Sequence, residues 1–466
     1  MAYTTINKST EHFNTKLFTG NGSTNAVTGV GFQPDWTWIK NRTDSASHNL
    51  YDAVRGTSAG KLKTNSTAAE SYNAQDLSVF GTDGFTVGGN NEVNGSSDDM
   101  VSWNWKAGGA TPAITYAVKV VSDSGNKFRF DDFGSSAVTL DLQEGGVYTF
   151  DQSDSSNSGH PLRFSTTSDG THGGGSAYTT GVVVSGTPGN AGAKTVITVA
   201  ASAPTLYYYC SNHSGMGGQA NTNSTFGSSN FKGSIQSTVS ANTTAGFSVV
   251  SYTANGVQGA TVGHGLSSAP EWVFTKDRDA TGAWGSYHKG VHPTSPEDYY
   301  VELNSNSARA DFTYWNDAKP SNTVVTIGNA GANNTNGRKI IMFCFHSVNG
   351  FSKFGYYNGN ANLEGPFVYT GFKPTFFIHK RAAGGNGGWY IYDNKRGPVN
   401  EILKTLKTEG PEAEDANADY NDVDFLSNGV KIREDNNDIN ASGDTYIYIA
   451  FGQSLVGSNN VPVTAR

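Results

Sequence analysis

The sequence predicts an all-β protein made of repeated β-sandwich modules, with a sandwich of a different kind inserted between the first two. Three observations point there. Glycine (57 of 466 residues), Asn, Ser and Thr are abundant and only 15% of residues are charged, so turn formers and poor helix formers dominate. Apolar and polar residues alternate in short segments bounded by turn residues, the signature of half-buried strands. One pattern recurs along the chain, which fixes the architecture before any single motif does. The exception is Val399 to Lys407, directly after Pro398. It predicts a helix, because proline suits a first helical position.

The repeated pattern begins with a turn-rich strand and a proline-led aromatic strand. Leu17-Phe18-Thr19-Gly20-Asn21-Gly22 leads to Pro34-Asp35-Trp36-Thr37-Trp38-Ile39-Lys40, and Ser251-Tyr252-Thr253-Ala254-Asn255-Gly256 leads to Pro270-Glu271-Trp272-Val273-Phe274-Thr275-Lys276. The third copy runs from Tyr356-Tyr357-Asn358-Gly359-Asn360 to Pro374-Thr375-Phe376-Phe377-Ile378-His379-Lys380. In every copy a lysine stands six residues after the proline. An aromatic segment follows (Tyr51-Asp52; Trp284 and Tyr287; Trp389 to Asp393), then a short strand at Phe80 to Val87, Val324 to Gly328 or Val423 to Ile432. Each copy closes on a strong strand: Met100 to Trp105, Lys339 to Phe345, Thr445 to Phe451. Most of these aromatics are expected in the core, with some left at the surface beside Asn and Asp as a platform on which sugars could stack.

The repeats resemble an uncharacterised domain family of virion structural proteins in marine phages, cyanophages above all. The Pro-aromatic strand Pro34 to Arg42 and the closing Trp103-Asn104-Trp105-Lys106-Ala107-Gly108 carry that resemblance in the first copy, and the later two copies diverge from it. The resemblance implies a particle protein with a jelly-roll-like fold. The expected divisions are 1–110, 241–350 and 351–466 for the three repeats, with the insert at 111–240.

In the insert, Ile114 to Val121, Lys127 to Phe130, Val138 to Leu142 and Gly146 to Phe150 read as strands. His160 is followed fifty residues later by Cys210-Ser211-Asn212-His213-Ser214-Gly215-Met216. A single His followed by Cys-x-x-His-x-x-Met resembles a cupredoxin, at a spacing close to that of the amicyanin type. The resemblance implies a Greek-key sandwich and makes His160, Cys210 and His213 the strong copper ligands, with Met216 on the axis. Two imidazoles and a thiolate in a trigonal set with a weak thioether suit copper. The plastocyanin-type axial position is Gly218 here, so the assignment depends on the shorter loop. If copper binds, stabilising the insert is the expected role ahead of electron transfer, because ligation contributes folding free energy. The alternative is a sandwich whose Cys, His and Met only pack.

Other chemistries are disfavoured. A net charge of −8 argues against nucleic acid, which requires clustered Lys and Arg. No apolar run approaches the ~20 residues that span a bilayer, and the polar start Met1 to Asn7 has no export-signal core. Cys210 and Cys344 fall in different expected domains, so no disulfide framework is expected. Gly56-Thr57-Ser58-Ala59-Gly60 and His172-Gly173-Gly174-Gly175 match hydrolase motifs in letters alone. A nucleophile elbow needs a strand-to-helix turn in an α/β sheet, with the oxyanion loop earlier in the chain. Asp415 to Asp419 starts like a calcium loop but has Tyr420 where glycine is required and Leu426 where the closing glutamate belongs.

The expectation is therefore a non-enzymatic virion structural protein, exposed as a tail fibre, tail-associated or head decoration protein. It would act by assembly with other virion proteins and multivalent host-surface contact. Homo-oligomerisation, as a trimer, is expected by analogy with phage appendages. The rival readings are a lectin-like adhesin for a host glycan, with its binding residues unassigned, and a copper-binding electron-transfer protein.

Overall fold

A computed structural model of the chain describes residues 4–109, 111–222, 226–415 and 422–454. The protein is all-β, built from multiple, mostly antiparallel sheets with no closed barrel. Its α-helices among the described residues are single turns, Asn91–Asn94, Gly331–Asn334 and Asn437–Asn440, each just before a closing strand. The chain divides into two compact units, one of residues 1–107, 241–260 and 265–466, the other of residues 108–240 and 261–264.

The first unit holds all three repeats. In repeat 1 the large sheet runs Phe13–Thr19, Asp99–Trp105, Trp36–Asn41, Asn49–Asp52, Leu62–Lys63. Repeat 3 has the same order: Ser352–Asn358, Thr445–Ser454, Phe372–Ala383, Trp389–Asp393, Leu406–Lys407. In repeat 2 the corresponding run is Phe247–Thr253, Lys339–Phe345, Trp272–Asp277, Gly285–His288, Tyr299–Glu302. A small sheet covers one face of each of the outer two, Asn25–Thr28, Gly84–Val87 and Leu77–Gly81 in repeat 1 and Phe367–Tyr369, Gly429–Ile432 and Val423–Leu426 in repeat 3. Phe80 to Val87 and Val423 to Ile432, each read from sequence as one strand, are hairpins, because Thr82-Asp83 and Ser427-Asn428 turn the chain before Gly84 and Gly429.

The opposite faces of the three large sheets meet. Trp36, Trp103 and Trp105 of repeat 1, Phe247, Trp272, Phe274, Phe343 and Phe345 of repeat 2, and Phe354, Phe376 and Phe451 of repeat 3 belong to one buried cluster. Trp36 stacks on Trp105 at 4.1 Å between centroids and lies 4.9 Å from Phe343, while Phe13 lies 5.2 Å from Phe376. Repeats 1 and 3 keep a second core under their small sheets. A large sheet covered on both faces explains why Trp36–Asn41 and Trp272–Asp277 are buried at every position, polar residues included. The three repeats are thus one body with a common centre.

The repeated lysines close this body into a ring. Lys40, Lys276 and Lys380 are each fully buried. Each donates to a carbonyl at the end of its own strand or the loop beyond, and to one carbonyl in another repeat. Lys40 reaches Pro411 O at 3.2 Å, Lys276 reaches Thr67 O at 3.2 Å and Lys380 reaches Asn306 O at 2.9 Å. Repeat 1 therefore clasps repeat 3, repeat 3 clasps repeat 2, and repeat 2 clasps repeat 1. The same carbonyls accept the backbone N–H groups of Ala46, Gly282 and Gly387 at 2.8, 2.8 and 2.9 Å.

Val399 to Lys407 is not a helix. Ile402 bridges Val423, Thr405 bridges Asp415, and Leu406–Lys407 is a strand paired with Tyr390 and Ile391. Ile402 packs in the repeat 3 core and Leu406 in the common core. A helix would put these two residues, four apart, on one face; an extended chain serves both cores.

The second unit is a sandwich of two mixed sheets. One runs Asn126–Phe130, Ala113–Ser122, Val147–Asp151, Lys194–Thr198, Val182–Ser185; the other Leu140–Asp141, Gly218–Asn221, Leu206–Cys210, Leu162–Ser165. Val147–Asp151 pairs in parallel with Ala113–Ala117 and Leu140–Asp141 with Ala220–Asn221, so the chain crosses between sheets as well as turning back. Phe130, Tyr148, Phe150, Phe164, Leu206 and Tyr208 fill the space between them.

Candidate metal centre

At one end of the second unit, His160, Cys210 and His213 converge. Their ligand atoms all lie within 4.8 Å of one another. Cys210 ends the strand Leu206–Cys210, fully buried and fixed by pairing with Leu162, while His213 follows three residues on in the exposed loop. His160 sits on the turn before Leu162–Ser165. Its backbone N–H donates to Asn157 O at 2.8 Å and its carbonyl accepts Gln152 Nε2 at 2.8 Å. Asn157, itself buried, donates to Val118 O at 2.7 Å. Both histidines are therefore carried by loops whose ends are pinned to strands.

The cysteine sulfur lies 3.9 Å from His160 Nδ1 and 3.7 Å from His213 Nδ1, and the two imidazoles stand 4.5 Å apart between centroids. Donors about 2.0 Å (N) and 2.3 Å (S) from a shared ion at trigonal angles stand roughly 3.7 Å apart. The three side chains thus fit a soft or borderline ion between them, in both donor type and spacing. Burial pushes the Cys210 thiol up, opposed by the backbone N–H groups of Asn212 and His213, which point at the sulfur. Burial, then the neighbouring His213, pushes His160 down, so its imidazole is neutral and free to ligate at neutral pH. Ion entry would displace the thiol proton, as thiolate ligation requires. Met216, the remaining expected ligand, is buried on the same loop, in the core cluster that includes Cys210.

The loop is braced by residues that the sequence did not mark. His172 Nε2 lies 3.1 Å from Cys210 O, Asp169 Oδ1 accepts Gly215 N–H at 2.8 Å, and Asn212 Nδ2 donates to Gly159 O at 2.9 Å. His172 belongs to the His-Gly-Gly-Gly run that only looks like an oxyanion loop, and Asp169 lies three residues earlier. Ser58 of the other hydrolase-like motif is exposed on a turn of the first unit. Cys344 is free and buried mid-strand between Ser248 and Val273, its thiol pushed far up by burial. Of the calcium-like stretch, residues 416–421 lie outside the described residues.

No helix among the described residues is long and apolar enough to cross a membrane. No curated protein and no solved structure matches the chain. A family model described as Domain of unknown function (DUF7483) matches residues 8–129 and 219–454. The match takes in the three repeats as one domain, in line with their common core, and skips the segment that carries His160, Cys210, His213 and Met216. The chain therefore belongs to the DUF7483 family, with its candidate metal centre in the stretch that interrupts the family match.

Proposed function

We propose that this protein is a structural component of a phage particle, exposed on its surface and working by assembly and multivalent contact rather than by catalysis. The observation that carries the reading is the three-repeat body itself. Three sheets with both faces covered, interlocked by buried lysines, make a rigid platform from which loops project. Rigid, repeated display is what multivalent attachment exploits. The partners under this reading are other virion proteins and a host surface, with whole chains assembled as a homo-oligomer. An antibody raised against residues 111–240 should decorate gradient-purified particles. Its failure to label them, with the chain found only in the soluble lysate, would contradict the reading.

A second reading, compatible with the first, is favoured by the geometry of the inserted sandwich: His160, Cys210 and His213 would hold one copper ion, with Met216 the further candidate ligand on the same loop. When bound, copper supplies one-electron redox chemistry and ligation energy to the fold. The chain's own residues fix the donor positions, exclude water from the sulfur and release its proton. Copper loading should produce intense visible absorption from the Cys210–copper bond and raise the melting temperature of the insert. His213→Ala should lose both. A colourless protein, or a variant whose melting responds to copper as the wild type does, would remove this reading.

A further inference from the structure

Internal symmetry shows where this chain departs from its own pattern. At two of the joints the first strand of one repeat's large sheet lies beside the loop after the fourth strand of another. Where repeat 1 meets repeat 3, a cleft of only about 80 Å³ is left, lined by Asn14, Asn394 and Lys395 among others. The matching cleft where repeat 3 meets repeat 2 is about 490 Å³, within the size range of small-ligand sites.

Register accounts for the difference. Gly355 occupies the position of Lys16 in repeat 1 and Val250 in repeat 2, and Gly290 that of Val54 and Lys395. A Cβ at Gly355 would stand 2.6 Å from the Tyr448 hydroxyl, and one at Gly290 3.0 Å from Tyr356 Cβ. The glycines let these rings line the cleft. Aromatics also replace smaller groups on its rim: Tyr356, Phe367 and Tyr369 stand where repeat 1 has Leu17, Ala26 and Thr28. They are 51%, 44% and 53% exposed, a cluster of uncovered rings that marks a binding surface. Two ammonium groups complete it. Lys353 Nζ lies 4.9 Å over the Tyr369 ring and donates to Tyr369 O at 2.8 Å, while Lys289 pairs with Glu271 at 2.7 Å. Burial, then the neighbouring Lys289, pushes Lys353 down, with Glu271 opposing.

We propose that this cleft binds an acidic saccharide, stacking sugar faces on Tyr356, Phe367 and Tyr369 and holding a carboxylate with Lys353 and Lys289. Open aromatic faces suit the C–H faces of a pyranose, and the hydroxyl tips of the two tyrosines suit its polar edges. The positive rim selects a negative ligand in a chain whose overall charge is negative. The inference concerns the chemistry of the cleft and stands or falls whether or not the chain is a particle component.

The test is titration calorimetry of the full chain with tetragalacturonate, sialyl-lactose and neutral maltotetraose. An acidic probe should bind, more weakly as salt rises. Lys353→Met and Tyr369→Ala should each weaken it about tenfold or more, a loss of about 1.4 kcal/mol, while Tyr72→Ala, an exposed tyrosine outside the cleft, should not. Absence of binding by both acidic probes, equal binding of maltotetraose, or affinity unchanged in both cleft variants would overturn the proposal.

Discussion

A buried ammonium needs acceptors for its N–H groups; Lys40 and Lys276 each find three backbone carbonyls and Lys380 two, one of each set in another repeat. Burial still holds each lysine down at about 8, against an ordinary value of 10.5. Between pH 8 and 10.5 the unfolded chain retains protons that the folded chain has released, so stability from this source rises with pH across that window. The buried tyrosines, held well above 10, act in the opposite sense only at higher pH. Denaturant melts from pH 7.5 to 9.5 should show the rise. Lys276→Met removes one of the three titrations and should flatten it, while lowering stability at pH 8 by about 2–4 kcal/mol through orphaned carbonyls. Lys8→Met, at an exposed site, should change stability by less than about 0.5 kcal/mol. The proline-to-lysine spacing was legible as a repeat. That the lysine is a clasp was not, because its acceptors are main-chain carbonyls, one of them in another repeat. The same holds at the metal centre, where the spacing of His160, Cys210 and His213 pointed to a shared site, whereas His172 acts on the Cys210 carbonyl, a role its His-Gly-Gly-Gly run does not announce.

Among the elements, the short helical turns show how an unremarked residue fixes a loop. Asn94, Asn334 and Asn440 occupy equivalent sites, each nine residues before the central aromatic or aliphatic residue of the closing strand (Trp103, Phe343, Ile449). Asn440 donates to Asn360 Oδ1, Asn362 O and Glu434 O at 3.0, 2.8 and 2.7 Å and accepts Asn360 N–H at 2.7 Å. Asn94 and Asn334 make corresponding bonds to the loops at 21–23 and 256–257. Asn440→Ala should cost about 2–3 kcal/mol, since several buried polar groups lose partners together, and a thermal melt reads it directly. These asparagines sat unnoticed among many others, because composition conceals a spacing that only the repeat alignment exposes. Strands were legible where one face is polar, as in Ala113–Ser122. The segment at Val399 to Lys407 was expected as a helix because Pro398 precedes it; it is extended because Ile402 and Leu406 serve two different cores.

Across the whole molecule, three modules could be counted from the sequence but their union could not. Alternation reports that a strand has a buried face; it does not report whether the cover is the module's own small sheet or a neighbour's large one. The clue was present in Trp36-Thr37-Trp38-Ile39-Lys40, where nearly every position is large or aromatic, as sheets covered on both faces require. The inserted sandwich packs around a core of its own. The central claim is that the repeats fold as one body around shared aromatics, and hydrogen exchange on Trp36→Ala tests it most directly. Trp36 touches repeat 2 through Phe247, Phe274 and Phe343, so its loss should lower protection of Asp99–Trp105, Lys339–Phe345 and Thr445–Ser454 by the same free energy, about 3–5 kcal/mol. Loss of protection confined to Asp99–Trp105 and its own sheet, with the other two closing strands unchanged, would contradict it.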